Sequence, residues 1–255
     1  RDTYAQQHGL LGKVRTHGGV GDAAGNSAQT APAYAFVHGN WCLCNGRPDG
    51  DWCGVDRELS ILSETGCYAD LTFPSAPSPT QTRSVNTIYY GEDPPAGQHG
   101  PQVHRTVSGG GRSVGSGPQS AVMMIPGPLG LNWRSRKRGI IPRLENGELS
   151  GANPATTERL KLWQRIGVHV QGRPEWTVIK LHTHGCVPEN RAALLGQSMV
   201  AFHRALAHVR EATRDLHLHY VTARELFNII KAAESGGNAS PGTYRDFEIG
   251  APASS

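Results

Sequence analysis

The segment that decides the fold class is Trp176-Thr177-Val178-Ile179-Lys180-Leu181, a run of mostly strand-forming residues in the C-terminal half of the chain. After it, the apolar residues of Arg191–Arg210 recur with helical spacing. His217–Val221 again predicts a strand, and Ala223–Glu234 predicts a helix. Alternating strands and helices with apolar strands are typical of parallel pairing, so we expect an α/β fold, either a doubly wound sheet or a barrel.

The same alternation is expected in the N-terminal half, where short apolar runs predict strands and amphipathic runs predict helices. The predicted strands are Tyr34–His38, Cys67–Phe73, Val85–Tyr90 and Ala121–Ile125, and the predicted helices are Asp56–Thr65 and Thr156–Ile166. We expect a partial helix and a loose loop over residues 1–33, the α/β domain over residues 34–247, and a tail over residues 248–255. Residues 91–119, rich in Gly, Pro and Ser, are expected to be a long surface insertion.

Composition and charge limit the class of protein. The 255 residues suffice for one sizeable core, and the formal net charge of +4 is modest. The tight basic cluster of Arg134, Arg136, Lys137 and Arg138 is interpreted as a solvated loop or as ion-pair partners, and the alternative is a contact with a phosphate, a sugar acid or a polymer. No nucleic-acid partner is expected. No apolar run approaches the ~20 residues that cross a bilayer, so no membrane span is expected. Five cysteines cannot all pair within one chain, which favours a reducing, cytoplasmic location.

Three residues near the end of the segment Val178–Gly185 carry the strongest chemical signal. In a strand, alternate side chains share a face, so Lys180, His182 and His184 are expected to project together. At the end of such a strand they would enter the region where α/β enzymes assemble their sites. Neutral imidazoles bind zinc and also act as general acids or bases. The alternative is that these residues cap the strand and hydrogen-bond to the backbone.

His38 ends an earlier predicted strand, in His38-Gly39-Asn40-Trp41, and therefore occupies an equivalent topological position. With the later pair of histidines it predicts a three-histidine group. Asn40 is expected to donate to a substrate carbonyl or to orient His38, and Trp41 to form an apolar or sugar-stacking wall. The cysteines lack the spacing of a zinc ribbon or finger, so we interpret them as structural or incidental thiols.

Three stretches carry a family-specific pattern: His38-Gly39-Asn40-Trp41, residues 64–70 with 74–82, and Lys180-Leu181-His182-Thr183-His184-Gly185. Through them the chain, from Tyr34 to Phe247, resembles a group of poorly characterised bacterial proteins distantly related to polysaccharide deacetylases. The resemblance implies a (β/α) barrel-like fold and a divalent metal such as zinc, held by one Asp and two His. It also implies metal-assisted hydrolysis of an acyl group on a carbohydrate or small-molecule substrate.

The resemblance assigns the metal ligands residue by residue. His38 matches the first metal-binding His, and Cys42 stands where the second His is expected, so that a thiolate would replace an imidazole. The metal-binding Asp belongs on a strand before Tyr34. The resemblance therefore implies either a fold that is incomplete at the N-terminus or a carboxylate supplied by Asp70 or Asp56.

The remaining roles follow from the same resemblance. His182 and His184 match the late-strand histidine that acts as general acid, and they are the expected catalytic residues. Asn40, Trp41 and Lys180 are the expected substrate-binding residues.

Two functional hypotheses result. The first is a metal-dependent hydrolase with His38, His182 and His184 around the metal or the reacting carbonyl. The second is a non-catalytic carbohydrate-binding relative, in which the histidines only form hydrogen bonds and aromatic side chains stack on sugar rings. The stacking residues in that hypothesis are Trp41, Tyr68, Tyr89 and Tyr90.

Overall fold

The structure, a computed structural model, describes residues 33–51, 55–74, 78–109, 121–185 and 187–251. The partial helix and loop predicted over residues 1–33 fall, but for one residue, outside this part of the chain. Within it the fold is mixed α/β, with one five-stranded sheet and one two-stranded sheet.

Seven strands form the two sheets. They are β1 (Tyr34–Phe36), β2 (Cys67–Asp70), β3 (Tyr89–Glu92), β4 (Gln102–Thr106), β5 (Val122–Met124), β6 (Gly130–Lys137) and β7 (Ile141–Glu145). The large sheet has the order β1-β2-β5-β3-β4, in which β1, β2 and β5 are parallel. Strand β3 runs antiparallel to both β5 and β4, while β6 and β7 form a separate antiparallel hairpin.

Five α-helices accompany the strands in the described residues. They are α1 (Glu58–Glu64), α2 (Thr157–Ile166), α3 (Arg191–Leu195), α4 (Gln197–Ala212) and α5 (Ala223–Glu234). Short 3-10 turns occupy Pro188–Asn190 and Pro241–Tyr244.

Helices cover both faces of the large sheet, because neighbouring residues of a strand point to opposite faces. Met123 of β5 belongs to a buried cluster with Phe227 and Ile230 of α5. Met124 belongs to a second cluster, with Leu59 of α1, on the other face. Burial on both faces is typical of parallel strands and leaves their carboxyl ends accessible to loops. Closure of this sheet into a barrel, which the resemblance implies, remains a prediction.

Several predicted helices are confirmed, because local capping signals mark their starts. Thr156 accepts a hydrogen bond from the Arg159 backbone N–H at the start of α2. Thr222 and Glu225 form a reciprocal capping box at the start of α5. These two helices have bounds within one residue of the sequence prediction.

The strands predicted at Trp176–Leu181 and His217–Val221 are wrong. Neither segment joins a sheet ladder in the described structure. The first is held by single contacts instead, including a 2.7 Å hydrogen bond from Val178 N–H to the Val168 carbonyl. A strand needs a neighbour, which an apolar run alone does not supply.

Three other predicted bounds change. The helix predicted over Arg191–Arg210 is divided at Gly196, where a Cβ atom would lie 2.3 Å from the Ala192 carbonyl oxygen. Strands β3 and β4 occupy part of the surface insertion predicted over residues 91–119, and residues 110–119 lie outside the described chain. Ile249, in the predicted tail, is buried in the core beside α5.

Candidate functional site

The carboxyl ends of the three parallel strands lie at one edge of the large sheet, and the segment around Lys180 crosses that edge. The Lys180 ammonium donates a 2.8 Å hydrogen bond to the Phe73 carbonyl, just beyond β2. Beyond β5, a Cβ at Gly127 would lie 3.0 Å from the Lys180 carbonyl oxygen and 3.4 Å from Cα of Pro74. Glycine thus permits the close packing of these three segments.

Trp41, which follows β1, contacts both histidines of the late segment. Its ring centroid lies 5.0 Å from that of His182, with the rings nearly perpendicular, and 6.4 Å from that of His184, with the rings stacked. We refer to these three residues as the Trp41 face. These contacts place the loop after β1 beside the late histidines through Trp41, and the predicted grouping of His38 with them stays a prediction.

The backbone of Trp41 has an unusual conformation. Its φ angle is 54°, in the left-handed region that non-glycine residues rarely adopt, and Cys44 and Asn45 in the same loop share this feature. Such conformations cost on the order of 1–3 kcal/mol and persist where the surrounding structure holds them, often at functional sites. The loop after β1 therefore stores conformational strain beside the two histidines.

The ring nitrogens of His182 are buried, and neither has a hydrogen-bond partner among the described residues. Its backbone is fixed, since His182 N–H donates to the Gly147 carbonyl and the His182 carbonyl accepts from Leu149 N–H. Burial, and then the positive charge of Lys180, lower the pKa of His182 to about 4. The imidazole is therefore neutral at pH 7, with one donor and one acceptor nitrogen.

His38 is oriented toward β2 through a short chain of hydrogen bonds. Its backbone N–H donates to the Thr72 hydroxyl at 2.8 Å. That hydroxyl donates to Oδ2 of Asp70 at 2.8 Å, and the Thr72 N–H donates to Oδ1 at 2.9 Å. The backbone N–H of Asn40 donates to Nδ1 of His38, so Asn40 contacts His38 through its main chain.

Asp70 and Lys180 are charged groups buried beneath the Trp41 face. Burial raises the pKa of Asp70 to about 7, against the opposing effects of its hydrogen bonds with Thr72 and of the nearby Lys180. Burial also lowers the pKa of Lys180 to about 8, while Asp70 acts in the opposite direction. Both side chains are almost inaccessible to solvent, which gives them a supporting position rather than direct access to a ligand.

The predicted metal ligands do not fit a metal ion in their present arrangement. Across the described ranges, no group of three or more His, Cys, Asp or Glu side chains is arranged to hold one. Asp70 accepts hydrogen bonds on both oxygens. Nδ1 of His38 accepts a hydrogen bond from the Asn40 backbone N–H. Cys42 is fully buried.

Other candidate residues lie apart from this face. Asp56 accepts a hydrogen bond from the Asn45 amide on the exposed side of the loop. Tyr89 and Tyr90 are buried in the sheet, and Tyr68 packs against Phe227 of α5. Of the aromatic residues predicted to stack on sugar rings, Trp41 is thus the one at the histidines, and the three tyrosines are structural.

A buried ion pair that sequence reasoning missed supports the same region. Arg159 of α2 donates two hydrogen bonds to Glu145 at 2.7 and 2.8 Å and one to the Glu148 carbonyl at 2.6 Å. Glu145 in turn accepts from Gly147 N–H, next to the backbone that holds His182. An Arg on the apolar side of an amphipathic helix is the sequence signal that points to such a pair.

Comparison with protein-family models, with curated proteins and with solved structures gives no match. No helix in the described ranges combines the length and apolar character needed to cross a bilayer. The chemistry of the Trp41 face therefore follows from the geometry of this chain alone.

Proposed function

We propose that this protein binds a carbohydrate at the Trp41 face. The observation that supports the proposal is the neutral imidazole of His182, whose two buried nitrogens lack partners among the described residues. A buried polar atom without a hydrogen bond costs about 1–3 kcal/mol. The neighbouring Trp41 holds a strained backbone conformation as well. The first of these costs is recovered if a ligand forms hydrogen bonds with His182.

The chemistry of this face matches a sugar ring. One side of a pyranose is apolar and stacks on an indole, while its hydroxyl or acylamino groups donate and accept hydrogen bonds. Neutral His182 offers one donor and one acceptor, and exposed His184 offers a second imidazole in contact with Trp41. Because Trp41 contacts His182, its indole moves from the imidazole to the sugar as the ligand enters.

Binding is tested with oligomers of N-acetylglucosamine as the probe, followed by calorimetry and by tryptophan fluorescence. We expect Trp41→Ala to weaken binding by about tenfold, because a lost aromatic contact costs about 1.4 kcal/mol and this energy corresponds to a tenfold change in Kd. His182→Ala removes both hydrogen bonds and lowers affinity further. Trp133→Ala, at an exposed tryptophan of the β6–β7 hairpin, is the matched control and leaves affinity unchanged. Equal affinity in all four proteins would exclude the Trp41 face as the binding site.

Acyl hydrolysis at the same face is the second candidate function, and the pairing of His182 with His184 favours it. Two imidazoles in contact with one indole allow one to donate to an acyl carbonyl while the other takes a proton from water. The same oligomers are assayed for acetate release, with and without a chelator. Acetate release lost in His182→Ala supports hydrolysis. Binding that persists in chelator with no acetate formed supports carbohydrate binding alone.

A further inference from the structure

The β6–β7 hairpin, residues 130–145, has a composition unlike the rest of the surface. Its only acidic residue is Glu145, which is buried with Arg159 at the base of the hairpin. Its basic residues are Arg134, Arg136, Lys137, Arg138 and Arg143, and all are exposed. Their exposure agrees with the interpretation of Arg134–Arg138 as a solvated run, although the run lies on a β-hairpin rather than in a loop. We refer to residues 130–145 as the basic hairpin.

Large apolar side chains are exposed on the same hairpin. Ile140 is 77% exposed, Ile141 60% and Trp133 59%. Leu131 and Leu144, paired across the two strands, are about half exposed. Several large apolar side chains exposed on one hairpin of a folded protein are typical of an interaction site. The isoleucines lie at and beside the turn, where a surface can approach them without obstruction by the sheet.

From these two features we infer that the basic hairpin docks on an anionic lipid surface. Aliphatic side chains at the tip enter the acyl boundary, Trp133 suits the headgroup layer, and the ring of arginine and lysine pairs with lipid phosphates and carboxylates. A nucleic acid would use the basic residues and the indole, but it offers nothing apolar to Ile140 and Ile141. The combination of charge with exposed aliphatic residues therefore selects a membrane surface.

The basic surface continues onto helix α2. An open cleft of about 500 Å³ is lined by Arg134 of the hairpin and by Lys161, Gln164 and Arg165, together with the carboxylate of Glu158. Three cations against one carboxylate favour an anionic group in this cleft. A lipid headgroup that enters this cleft would fix the hairpin at the membrane. Strand β7 ends two residues before Gly147, whose carbonyl accepts a hydrogen bond from His182 N–H.

The test is flotation of the full chain with phosphatidylcholine vesicles, with and without phosphatidylserine. We expect binding only to the anionic vesicles. Arg136→Gln/Lys137→Gln/Arg138→Gln should lower the partition coefficient roughly 100-fold, from the contribution of three basic residues. Ile140→Ser/Ile141→Ser keeps every charge and should lower it by at least about tenfold. The matched control, Arg204→Gln/Arg210→Gln on exposed positions of α4, should leave binding unchanged.

A second readout follows the indole itself. Lipids brominated in the acyl chain should quench part of the tryptophan fluorescence, and Trp133→Phe should abolish that part. The inference is overturned if the wild type does not float, if it binds neutral vesicles equally well, or if the isoleucine variant binds as the wild type does. Binding to polyuridylic acid without binding to vesicles would assign the hairpin to nucleic acid instead and would equally overturn it.

Discussion

The indole of Trp41 and the imidazole of His182 meet edge to face, with ring centroids 5.0 Å apart and ring planes at 82°. An indole offers an apolar surface and no acceptor for the imidazole N–H, so this contact shields His182 without satisfying it. The strained φ of Trp41 and the lowered pKa of His182 thus occur at one contact between two side chains. Ligand binding and stability are therefore coupled at this pair.

Replacing Trp41 with glycine should separate the role of Trp41 in ligand binding from its role in stability. Glycine adopts a positive φ at no steric cost, and without the indole the His182 nitrogens become hydrated. These gains offset the lost ring contacts, so we expect the free energy of unfolding to change by less than about 1 kcal/mol. Carbohydrate affinity should nevertheless fall by at least tenfold. Urea unfolding and calorimetric titration measure the two quantities.

Gly39→Ala, in the same loop, is the control, because a Cβ at this position meets no atom within 4 Å. It should change neither stability nor affinity. A loss of more than about 3 kcal/mol in Trp41→Gly would instead identify Trp41 as a core residue, the outcome typical of a buried tryptophan.

The Thr72 hydroxyl should prove essential to the position of His38. Thr72→Val keeps the shape but leaves the His38 N–H without an acceptor and Asp70 Oδ2 without a donor. We expect a loss of about 1–3 kcal/mol in the free energy of unfolding and weaker carbohydrate binding. Thr72→Ser retains the hydroxyl and should preserve both hydrogen bonds at smaller cost. If valine and serine give equal stability, the hydrogen-bond chain does not hold the loop.

Protonation of His182 should destabilise the fold in mild acid. Its pKa is about 4 in the folded protein and 6.5 ordinarily, so the unfolded chain takes up the proton first as the pH falls. Stability is complete above pH 6.5 and declines between pH 6.5 and 4. We expect the shifted pKa of His182 to change the free energy of unfolding by about 2 kcal/mol over this pH range. The value is smaller than full burial would give, because the His182 side chain is only half-buried.

Comparison with His182→Gln isolates this contribution, since glutamine does not titrate. Asp70, with a pKa raised to about 7, acts in the opposite direction: its destabilising contribution grows as the pH rises from 3.8 to 7. The difference between wild type and His182→Gln should therefore be measured at each pH by urea unfolding. A difference that is constant from pH 4 to 7 would show that His182 is not shielded in solution.

The sequence analysis placed Trp41, His182 and His184 in one candidate site without predicting their ring contacts, and the reason for that grouping is local. Each lies just after an apolar segment, and polar or aromatic residues that end such segments collect at one edge of a parallel sheet. The segment around His182 reaches that edge although it forms no strand, because single backbone hydrogen bonds to Gly147 and Leu149 suffice to hold it there.

The sequence could not reveal which polar groups turn inward. Asp70 ends β2 as a metal-binding carboxylate would, yet it is 1% exposed and bonded to Thr72, two residues away. Cys42 lies four residues after His38 but is buried, since the loop turns at Trp41. Side-chain direction in such a loop depends on its φ angles, and no residue periodicity encodes them.

The pair Glu145–Arg159 provides the last prediction, because it links α2 to the backbone beside His182. Arg159→Met removes five hydrogen bonds, which go to the Glu145 carboxylate and to the carbonyls of Asn153, Pro154 and Glu148. It leaves the Glu145 charge buried and uncompensated. We expect a loss of about 3–5 kcal/mol in the free energy of unfolding.

Adding Glu145→Leu to Arg159→Met should recover much of this loss, because the unpaired charge disappears and apolar packing replaces it. Arg165→Met, at an exposed arginine of the same helix, should change stability by less than about 0.5 kcal/mol. Urea unfolding of the wild type, Arg159→Met, Glu145→Leu and the double variant completes the cycle, with Arg165→Met measured as the control. If Glu145→Leu brings no recovery, the cost of Arg159→Met comes from the three carbonyls rather than from the carboxylate, and the arginine acts mainly as a clamp on the chain around residues 148–154.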